Sequence, residues 1–293
     1  MKILYLLNVA AGHGLQLLKS AGMKFRLFFW CISILLFVQA NAAKVDTLET
    51  YSKSMNKKIK TVVLIPDNYD KGKPYPVVYL LHGYSGDYAG WSKAAAVQKA
   101  PDLYNEIIVC ADGGFSSWYW DSPVDPAFKY ETYISKELVE WVDKNYNTIK
   151  SSKGRAIAGL SMGGHGALYL AIKHPDVFGA CGSMSGGVDI RPFPDNWDMA
   201  RRLGKYSEYP ERWEKNTVIN MLNLIEPKTL SIIIDCGTDD FFFKVNNELH
   251  QQLLYRNIPH DYITRPGGHT WDYWENAVAY QLLFFHSFFT KKA

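Results

Sequence analysis

Short apolar runs alternate with helical patterns through most of this chain, and the alternation limits the folds that it can adopt. Most of these runs are continuously apolar, as expected of strands that are buried on both faces of a parallel sheet. The six predicted strands lie in PVVYLLHG, NEIIVCADGG, GRAIAGLS, VFGACGSMSG, TLSIIIDCG and HDYITRPGG. Segments with helical spacing of apolar residues lie between or after them, including YETYISKELVEWVDKNY and WDYWENAVAYQLLFFHSFF.

Repeated strand–helix units predict an α/β protein with a mostly parallel central sheet and helices on both faces. Two antiparallel strands are predicted before them, within residues 45–66. No repeat or linker divides residues 43–293, which we interpret as a single domain. Near 187–227 the pattern is interrupted by a polar and aromatic segment with short predicted helices. We interpret this segment as a lid-like insertion over one end of the sheet, with a solvent-facing excursion as the alternative.

Residues 1–42 differ in composition from the rest and predict a secretory leader. They contain no Asp or Glu. From Met23, a candidate translation start, a basic pair precedes an apolar run and then Ala40-Asn41-Ala42, which is the order of a signal peptide and its cleavage site. The apolar run is shorter than the ~20 residues of a membrane helix, although an uncleaved anchor is the alternative. We therefore expect a periplasmic or secreted protein without stable membrane association after cleavage.

Charge and cysteine content argue against several classes of function. Four of the 32 basic residues lie in the leader, which leaves 28 against 29 acidic residues and a formal net charge of −1. Without a basic face, the chain is not expected to bind nucleic acid. Cys110, Cys181 and Cys236 follow short apolar runs and are predicted to be buried thiols. No Cys–His pair has zinc spacing, which argues against a zinc site.

The segment GLSMGGHGAL contains the pentapeptide G-x-S-x-G, with Ser161 at its centre. A predicted strand precedes it and a predicted helix follows it. In this context the serine lies on a sharp strand-to-helix turn, and the flanking glycines allow the strand and the helix to approach closely. We therefore predict that Ser161 is a nucleophile, with a purely structural turn as the alternative.

A serine hydroxyl needs a general base, and the base needs a carboxylate that orients it. In this strand–turn–helix context the expected chain order is Ser, then Asp or Glu, then His. His269 follows the last predicted strand in a Pro-Gly-Gly loop, whereas the other histidines after residue 42 lie in helices or at less suitable positions. The acid is predicted in GTDD at 237–240, with Asp240 preferred and Asp239 as the alternative. Asp235 lies inside an apolar run and is interpreted as structural.

The developing oxyanion needs two backbone donors. One is predicted to be the N–H of Met162, the residue after the nucleophile. The other is predicted to be the N–H of Tyr84, in the loop LLHGYSGD that follows the first buried strand. An ordinary glycine turn is the alternative for that loop.

Aromatic residues cluster near the predicted strand ends. Trp118 and Trp120, in SSWYWDSP, are predicted to stack on a sugar or an aromatic acyl group of the substrate, with packing between loops as an equal alternative. Trp271 and Trp274 follow the predicted base and are interpreted as helix packing.

The motifs LLHGYSGDYAGW, ADGGFSSWYWDSP, GLSMGGHGAL, DCGTDDFF and GGHTWDYW together resemble the esterase family of α/β-hydrolases. This family includes esterase D and S-formylglutathione hydrolases, the feruloyl and acetylxylan esterases of carbohydrate esterase family one, and mycolyltransferases. The resemblance implies the α/β-hydrolase fold over about 45–290. It also implies Ser161 as nucleophile, Asp240 as acid, His269 as base, and Tyr84 and Met162 at the oxyanion hole.

The resemblance implies an exported serine esterase that acts through an acyl-enzyme. Its expected substrates are short acyl, acetyl or feruloyl esters, as small molecules or linked to polysaccharides. We expect neither a metal nor an organic cofactor, because catalysis by a serine, a histidine and a carboxylate needs none. Acyl transfer is one alternative, because mycolyltransferases have a similar serine turn and histidine loop. An S-formylglutathione hydrolase is another, although Leu160 stands where those enzymes have His and they lack a leader.

Overall fold

The computed structural model describes residues 43–226 and 228–291. The predicted leader, with Met23 and the cleavage motif, lies outside the described residues. Within the two described ranges, no helix is both long enough and apolar enough to cross a bilayer.

Eight strands form one sheet in the order β1-β2-β4-β3-β5-β6-β7-β8. Their bounds are β1 Lys44–Ser52, β2 Lys57–Ile65, β3 Val77–Leu81, β4 Ile107–Ala111, β5 Arg155–Leu160, β6 Ala180–Met184, β7 Ser231–Gly237 and β8 Asp261–Arg265. β1 pairs antiparallel with β2, and β2 with β4, whereas β4, β3 and β5 to β8 are parallel. These pairings confirm the prediction of a mostly parallel sheet that begins with two antiparallel strands.

Seven helices surround the sheet in the described part of the chain. They are α1 Ala95–Tyr104, α2 over 130–145, α3 Met162–Lys173, α4 Met199–Leu203, α5 Pro210–Lys215, α6 Phe243–Tyr255 and α7 Trp271–Thr290. Helix α2 has π-helical turns at Tyr133–Leu138 between α-helical Tyr130–Thr132 and Val139–Asn145. Single 3₁₀ turns lie at Trp91–Lys93, Ser152–Gly154, Val218–Asn220 and Leu222–Leu224.

Strand β3 is fully buried, and its side chains enter two cores on opposite faces of the sheet. Tyr79 and Leu81 pack in one core with α2, α3 and α6. Leu80 packs in the other core with α1 and α7. Helices therefore cover both faces, as predicted. Since the strand order reverses at β3, the chain leaves β3 and β5 toward opposite faces, which opens a crevice at their carboxyl ends.

Helix α1 is not predicted by the sequence patterns. Pro101 lies inside it and removes a helical hydrogen bond, which is why such a segment does not resemble a helix. Its buried residues Val97 and Ala100 pack in the same core as α7. Tertiary packing therefore outweighs the proline, and the helix ends at Asn105 in a left-handed conformation with φ of 57°.

The insertion after β6 packs on the protein and is not a solvent-facing excursion. Its core residues are Val188, Ile190, Met199, Leu203, Trp213, Val218, Met221 and Leu222. Arg202 anchors it, because its guanidinium pairs with Asp125 at 2.9 Å and donates to the Ser116 carbonyl at 3.3 Å. This guanidinium also lies 3.4 Å from the centre of the Phe128 ring. The insertion is thereby joined to the loop that follows β4.

Three of the four cysteines lie in the described residues, Cys110 on β4, Cys181 on β6 and Cys236 on β7, and these three are buried free thiols. Burial raises the pKa of each thiol, so each stays protonated and behaves as a small apolar side chain. Within 43–226 and 228–291, no group of three or more His, Cys, Asp or Glu residues is arranged to hold a metal ion.

Candidate active site

Ser161, Asp240 and His269 meet at the carboxyl ends of β5, β7 and β8. The Ser161 Oγ lies 2.9 Å from the Nε2 of His269. The other ring nitrogen of His269, Nδ1, lies 2.9 Å from Oδ2 and 3.1 Å from Oδ1 of Asp240. Three residues that are far apart in the chain thus form one continuous line of hydrogen bonds, because parallel strands end at the same edge of the sheet.

The backbone at Ser161 is strained, with φ of 54° and ψ of −116°, directly before α3 begins. A side chain at Gly159 would place its Cβ 2.4 Å from the Gly163 backbone. A Cβ at Gly163 would lie 2.3 Å from the Leu81 carbonyl oxygen. The two glycines therefore allow β3, β5 and α3 to approach closely enough to hold the serine in this conformation.

Only one of the three neighbouring aspartates touches His269. The Asp240 side chain is fully buried, and its Oδ1 also accepts the Phe242 N–H at 2.8 Å. Asp239 is exposed and accepts the Gly267 N–H at 3.1 Å, so it caps the loop that carries the histidine. Asp235 pairs with Arg265 at 2.7 Å. Asp240, the preferred candidate, is therefore the aspartate that the fold brings to the His269 imidazole.

Two other histidines near the serine have structural partners on both ring nitrogens. His165 Nδ1 lies 2.9 Å from the Gly187 carbonyl oxygen, and its Nε2 accepts the Trp120 indole N–H at 2.9 Å. Burial lowers the pKa of His165 to about 4, which keeps the ring neutral. His82 Nδ1 lies 2.7 Å from the Gly83 carbonyl oxygen, and its Nε2 accepts the Gly113 N–H at 2.7 Å. Neither ring has a nitrogen available for the serine.

Two backbone N–H groups beside Ser161 have no partner among the described residues. They belong to Tyr84, after β3, and to Met162, the first residue of α3. Between these segments the packing is tight, since a Cβ at Gly83 would lie 3.4 Å from the Ser161 Cβ. Both N–H groups are therefore free to bind an oxygen of a reacting group at the serine.

A cleft of about 430 Å³ opens at Ser161 and His269, and its lining includes five aromatic residues, Tyr84, Trp197, Phe241, Trp271 and Trp274. Trp197 and Phe241 stack with their planes 17° apart and their centroids 5.8 Å apart. On the other side, Trp271 packs edge-on against Trp91 with centroids 5.2 Å apart and remains 41% exposed. Since it lines the cleft, Trp271 is not merely the helix packing that the sequence suggests.

The prediction that Trp118 and Trp120 contact substrate is wrong. Both are only 1% exposed, and neither lines the cleft. Their rings stack on each other with centroids 5.6 Å apart, and their N–H groups donate within the protein, Trp118 to the Trp197 carbonyl at 3.2 Å and Trp120 to His165. The two indole rings therefore pack between loops, which was the alternative, because the loop after β4 places them beneath the insertion.

The sequence patterns miss Trp197 and Phe241, which line the cleft. Phe241 follows the predicted acid directly, so its place beside the site follows from Asp240. Trp197 lies in the insertion after β6, and no local pattern distinguishes it from the other aromatic residues of that segment.

Comparisons with known proteins identify the family of this chain. Residues 52–285 match the model of the Esterase family. An acetyl esterase of Caldicellulosiruptor saccharolyticus is 26% identical over 78% of this chain and 93% of its own length. The diacylglycerol acyltransferase/mycolyltransferase Ag85B of Mycobacterium leprae is 35% identical over 78% of this chain and 80% of its own. A solved ferulic acid esterase is 30% identical with a TM-score of 0.73, covering 84% of this chain and 98% of the other. The chain therefore belongs to the Esterase family and is an esterase of the α/β-hydrolase type.

Proposed function

We propose that this esterase is a serine hydrolase of carboxylic esters in which Ser161 is the nucleophile, His269 the general base and Asp240 the orienting acid. The observation that carries the proposal is the unbroken line of hydrogen bonds from the Ser161 Oγ through His269 to the buried Asp240 carboxylate. An ionised carboxylate only accepts hydrogen bonds, so the imidazole carries its proton on Nδ1. The lone pair on Nε2 then faces the serine hydroxyl and can take its proton.

In the first step, the Ser161 oxygen attacks the ester carbonyl while its proton moves to His269. The carbonyl oxygen becomes an oxyanion, for which the free N–H groups of Tyr84 and Met162 are the proposed donors. As the intermediate collapses, the alcohol leaves with the proton from His269, and the acyl group remains on the serine. Water, deprotonated by His269, then releases the acid, and the serine oxygen regains its proton.

The cleft favours an ester with an apolar acyl or aromatic group. Five of its lining residues are Tyr, Phe or Trp, and within the described part of the chain Asp87 is the one Asp, Glu, Lys or Arg residue that lines it. Acetyl or feruloyl groups, free or linked to polysaccharides, suit such a wall, and the similarity to an acetyl esterase and a ferulic acid esterase supports them. S-formylglutathione suits it less, because glutathione is anionic and none of the described lysine or arginine residues lines the cleft to bind its carboxylates.

Acyl transfer is a second candidate, supported by the 35% identity to the mycolyltransferase Ag85B. The same acyl-enzyme would then react with an alcohol in place of water. The two outcomes are separated by adding an alcohol or sugar acceptor and measuring whether new ester forms faster than free acid.

We also propose that the enzyme is exported, since residues 1–42 contain the basic, apolar and Ala-x-Ala segments of a signal peptide. N-terminal sequencing of the protein outside the cytoplasm is expected to begin at Ala43. An intact residue 23 at the N-terminus would contradict cleavage.

The central test is Ser161→Ala. This variant is expected to fold normally and to lose turnover of p-nitrophenyl acetate and labelling by a fluorophosphonate. Near wild-type turnover would overturn the proposal. In the wild type, absence of labelling together with absence of turnover would instead favour a non-catalytic binding protein. A panel of acetyl, butyryl and feruloyl esters, acetylated xylan and S-formylglutathione then identifies the preferred substrate.

A further inference from the structure

The insertion contains a turn at 197–198 whose backbone is strained. Trp197 has φ of 49° and Asp198 has φ of 56°, so two successive non-glycine residues adopt left-handed conformations. Aspartate tolerates this conformation, but tryptophan rarely adopts it. Such strain persists only where the surroundings hold it in place, and it is concentrated at functional sites. Contacts from outside the turn are therefore expected to hold it in this conformation.

Two long-range hydrogen bonds hold the turn. The Trp118 indole N–H donates to the Trp197 carbonyl at 3.2 Å, which ties the turn to the loop after β4. The Tyr84 hydroxyl donates to Asp198 Oδ2 at 3.2 Å, which ties the turn to the loop after β3. Tyr84 and Trp197 both line the cleft, so the second bond joins two of its walls near Ser161.

We propose that Asp198 is a positioning residue, which acts through the Tyr84 hydroxyl to align the Tyr84 backbone N–H with the oxyanion. This inference rests on the proposed function, in which that N–H is one of the two oxyanion donors. The hydrogen bond between Asp198 and Tyr84 would then connect the insertion, which contributes Trp197 to the cleft, to the backbone N–H that stabilises the transition state.

Tyr84 is held at its ring, at the neighbouring backbone and at its hydroxyl. Its ring packs against Phe115 with centroids 4.8 Å apart, and the next amide, Ser85 N–H, donates to the Phe115 carbonyl at 2.8 Å. These contacts hold one side of the residue, whereas the hydrogen bond to Asp198 holds the far end of the side chain. Partial burial and the Asp198 carboxylate both raise the pKa of Tyr84, so the phenol keeps the proton that it donates.

The inference predicts a change in kcat rather than in KM. An oxyanion exists only in the transition state and the tetrahedral intermediate, so a misaligned donor weakens binding there and leaves ground-state binding unchanged. Removing an oxyanion donor altogether costs about 10²–10³ in kcat. Misalignment without removal is expected to cost about tenfold, within that limit.

Four variants test the link: Tyr84→Phe, Asp198→Ala, Asp198→Asn and the double variant of Tyr84→Phe with Asp198→Ala. Tyr84→Phe keeps the backbone N–H but removes the hydroxyl. Asp198→Asn keeps an oxygen that accepts from the hydroxyl and should retain most of the activity. The matched control is Asp195→Ala, which removes an exposed carboxylate of the same insertion that makes no hydrogen bond or ion pair with the described residues.

With p-nitrophenyl acetate, Tyr84→Phe and Asp198→Ala are each expected to lower kcat about tenfold at nearly unchanged KM, and the double variant is expected to lower it no further. The control should match the wild type. Wild-type kcat in both single variants, or additive losses in the double variant, would overturn the inference. A rise in KM alone would also overturn it, since that result assigns the turn to substrate binding. If Ser161→Ala is inactive while these variants behave as wild type, the inference fails and the serine mechanism stands.

Discussion

Asp239 and Asp240 are adjacent carboxylates with different contacts, and replacing each by asparagine separates their roles. Asp240 Oδ1 accepts the Phe242 N–H, so an asparagine at 240 is expected to keep its oxygen there and to turn its NH₂ group toward His269. The imidazole must then accept on Nδ1 and carry its proton on Nε2. In that tautomer His269 cannot accept the proton of Ser161. Asp240→Asn is therefore expected to abolish most of the activity without unfolding the protein.

The size of the effect follows from the geometry of the pair. The Asp240 carboxylate is fully buried and lies 2.9 Å from His269 Nδ1. For charge centres about 3–4 Å apart and an effective dielectric constant of about 20, the carboxylate stabilises the imidazolium by roughly 4–6 kcal/mol. This corresponds to a fall in kcat of about three to four powers of ten. Asp239 contacts only the loop backbone, so Asp239→Asn is expected to cost less than about tenfold.

The assay is p-nitrophenyl acetate turnover for both variants, with thermal unfolding as the control for folding. A folded Asp240→Asn variant that retains more than a tenth of the wild-type kcat would show that Asp240 is not the orienting acid. A greater loss of activity in Asp239→Asn than in Asp240→Asn would assign that role to Asp239.

Two further predictions concern stability. Burial raises the pKa of Glu106 to about 9, so the stability that its neutral form contributes is complete below pH 4.5 and is lost as the pH rises toward 9. The glutamine of Glu106→Gln cannot ionise, so the variant does not lose stability in this pH range. The difference in the free energy of unfolding between variant and wild type, measured in urea, should therefore be smallest at pH 4.5 and grow by at most about 1.4 kcal/mol per pH unit above it. A difference that does not change with pH would contradict this. Gly163→Ala would place a Cβ 2.3 Å from the Leu81 carbonyl oxygen and 2.6 Å from that of His82. Because backbone must move, we expect a loss of about 3 kcal/mol or more, measured by chemical unfolding, and an unchanged midpoint would contradict the tight packing.

Much of the fold was predictable from local patterns, and the exceptions have identifiable causes. Strands β3 to β7 are apolar because they are buried in the sheet, so their sequences show it directly. Helix α1 is hidden by Pro101, whose local cost is outweighed by packing against elements distant in the chain. The insertion differs from α1, because its short helices were predicted. Its packing on the loop after β4 was not, since that packing depends on contacts between distant segments such as that between Arg202 and Asp125.

The candidate site was predictable where it depends on strand ends. Ser161, Asp240 and His269 each follow a strand, and parallel strands bring such loops together whatever the details of packing. The aromatic wall was not predictable in this way. Trp118 and Trp197 both lie in aromatic segments beyond strand ends, yet the first is buried beneath the insertion and the second lines the cleft.

The amino-acid sequence by itself determined the order of the elements, the strained serine turn and the small set of residues that could act with the serine. Those properties are local, since they depend on apolar periodicity, on glycine and on position after a strand. Only the tertiary structure decided between Asp239 and Asp240, and between Trp118 and Trp197 as cleft residues. Each choice depends on the direction in which one side chain leaves its loop, and contacts with segments distant in the chain set that direction.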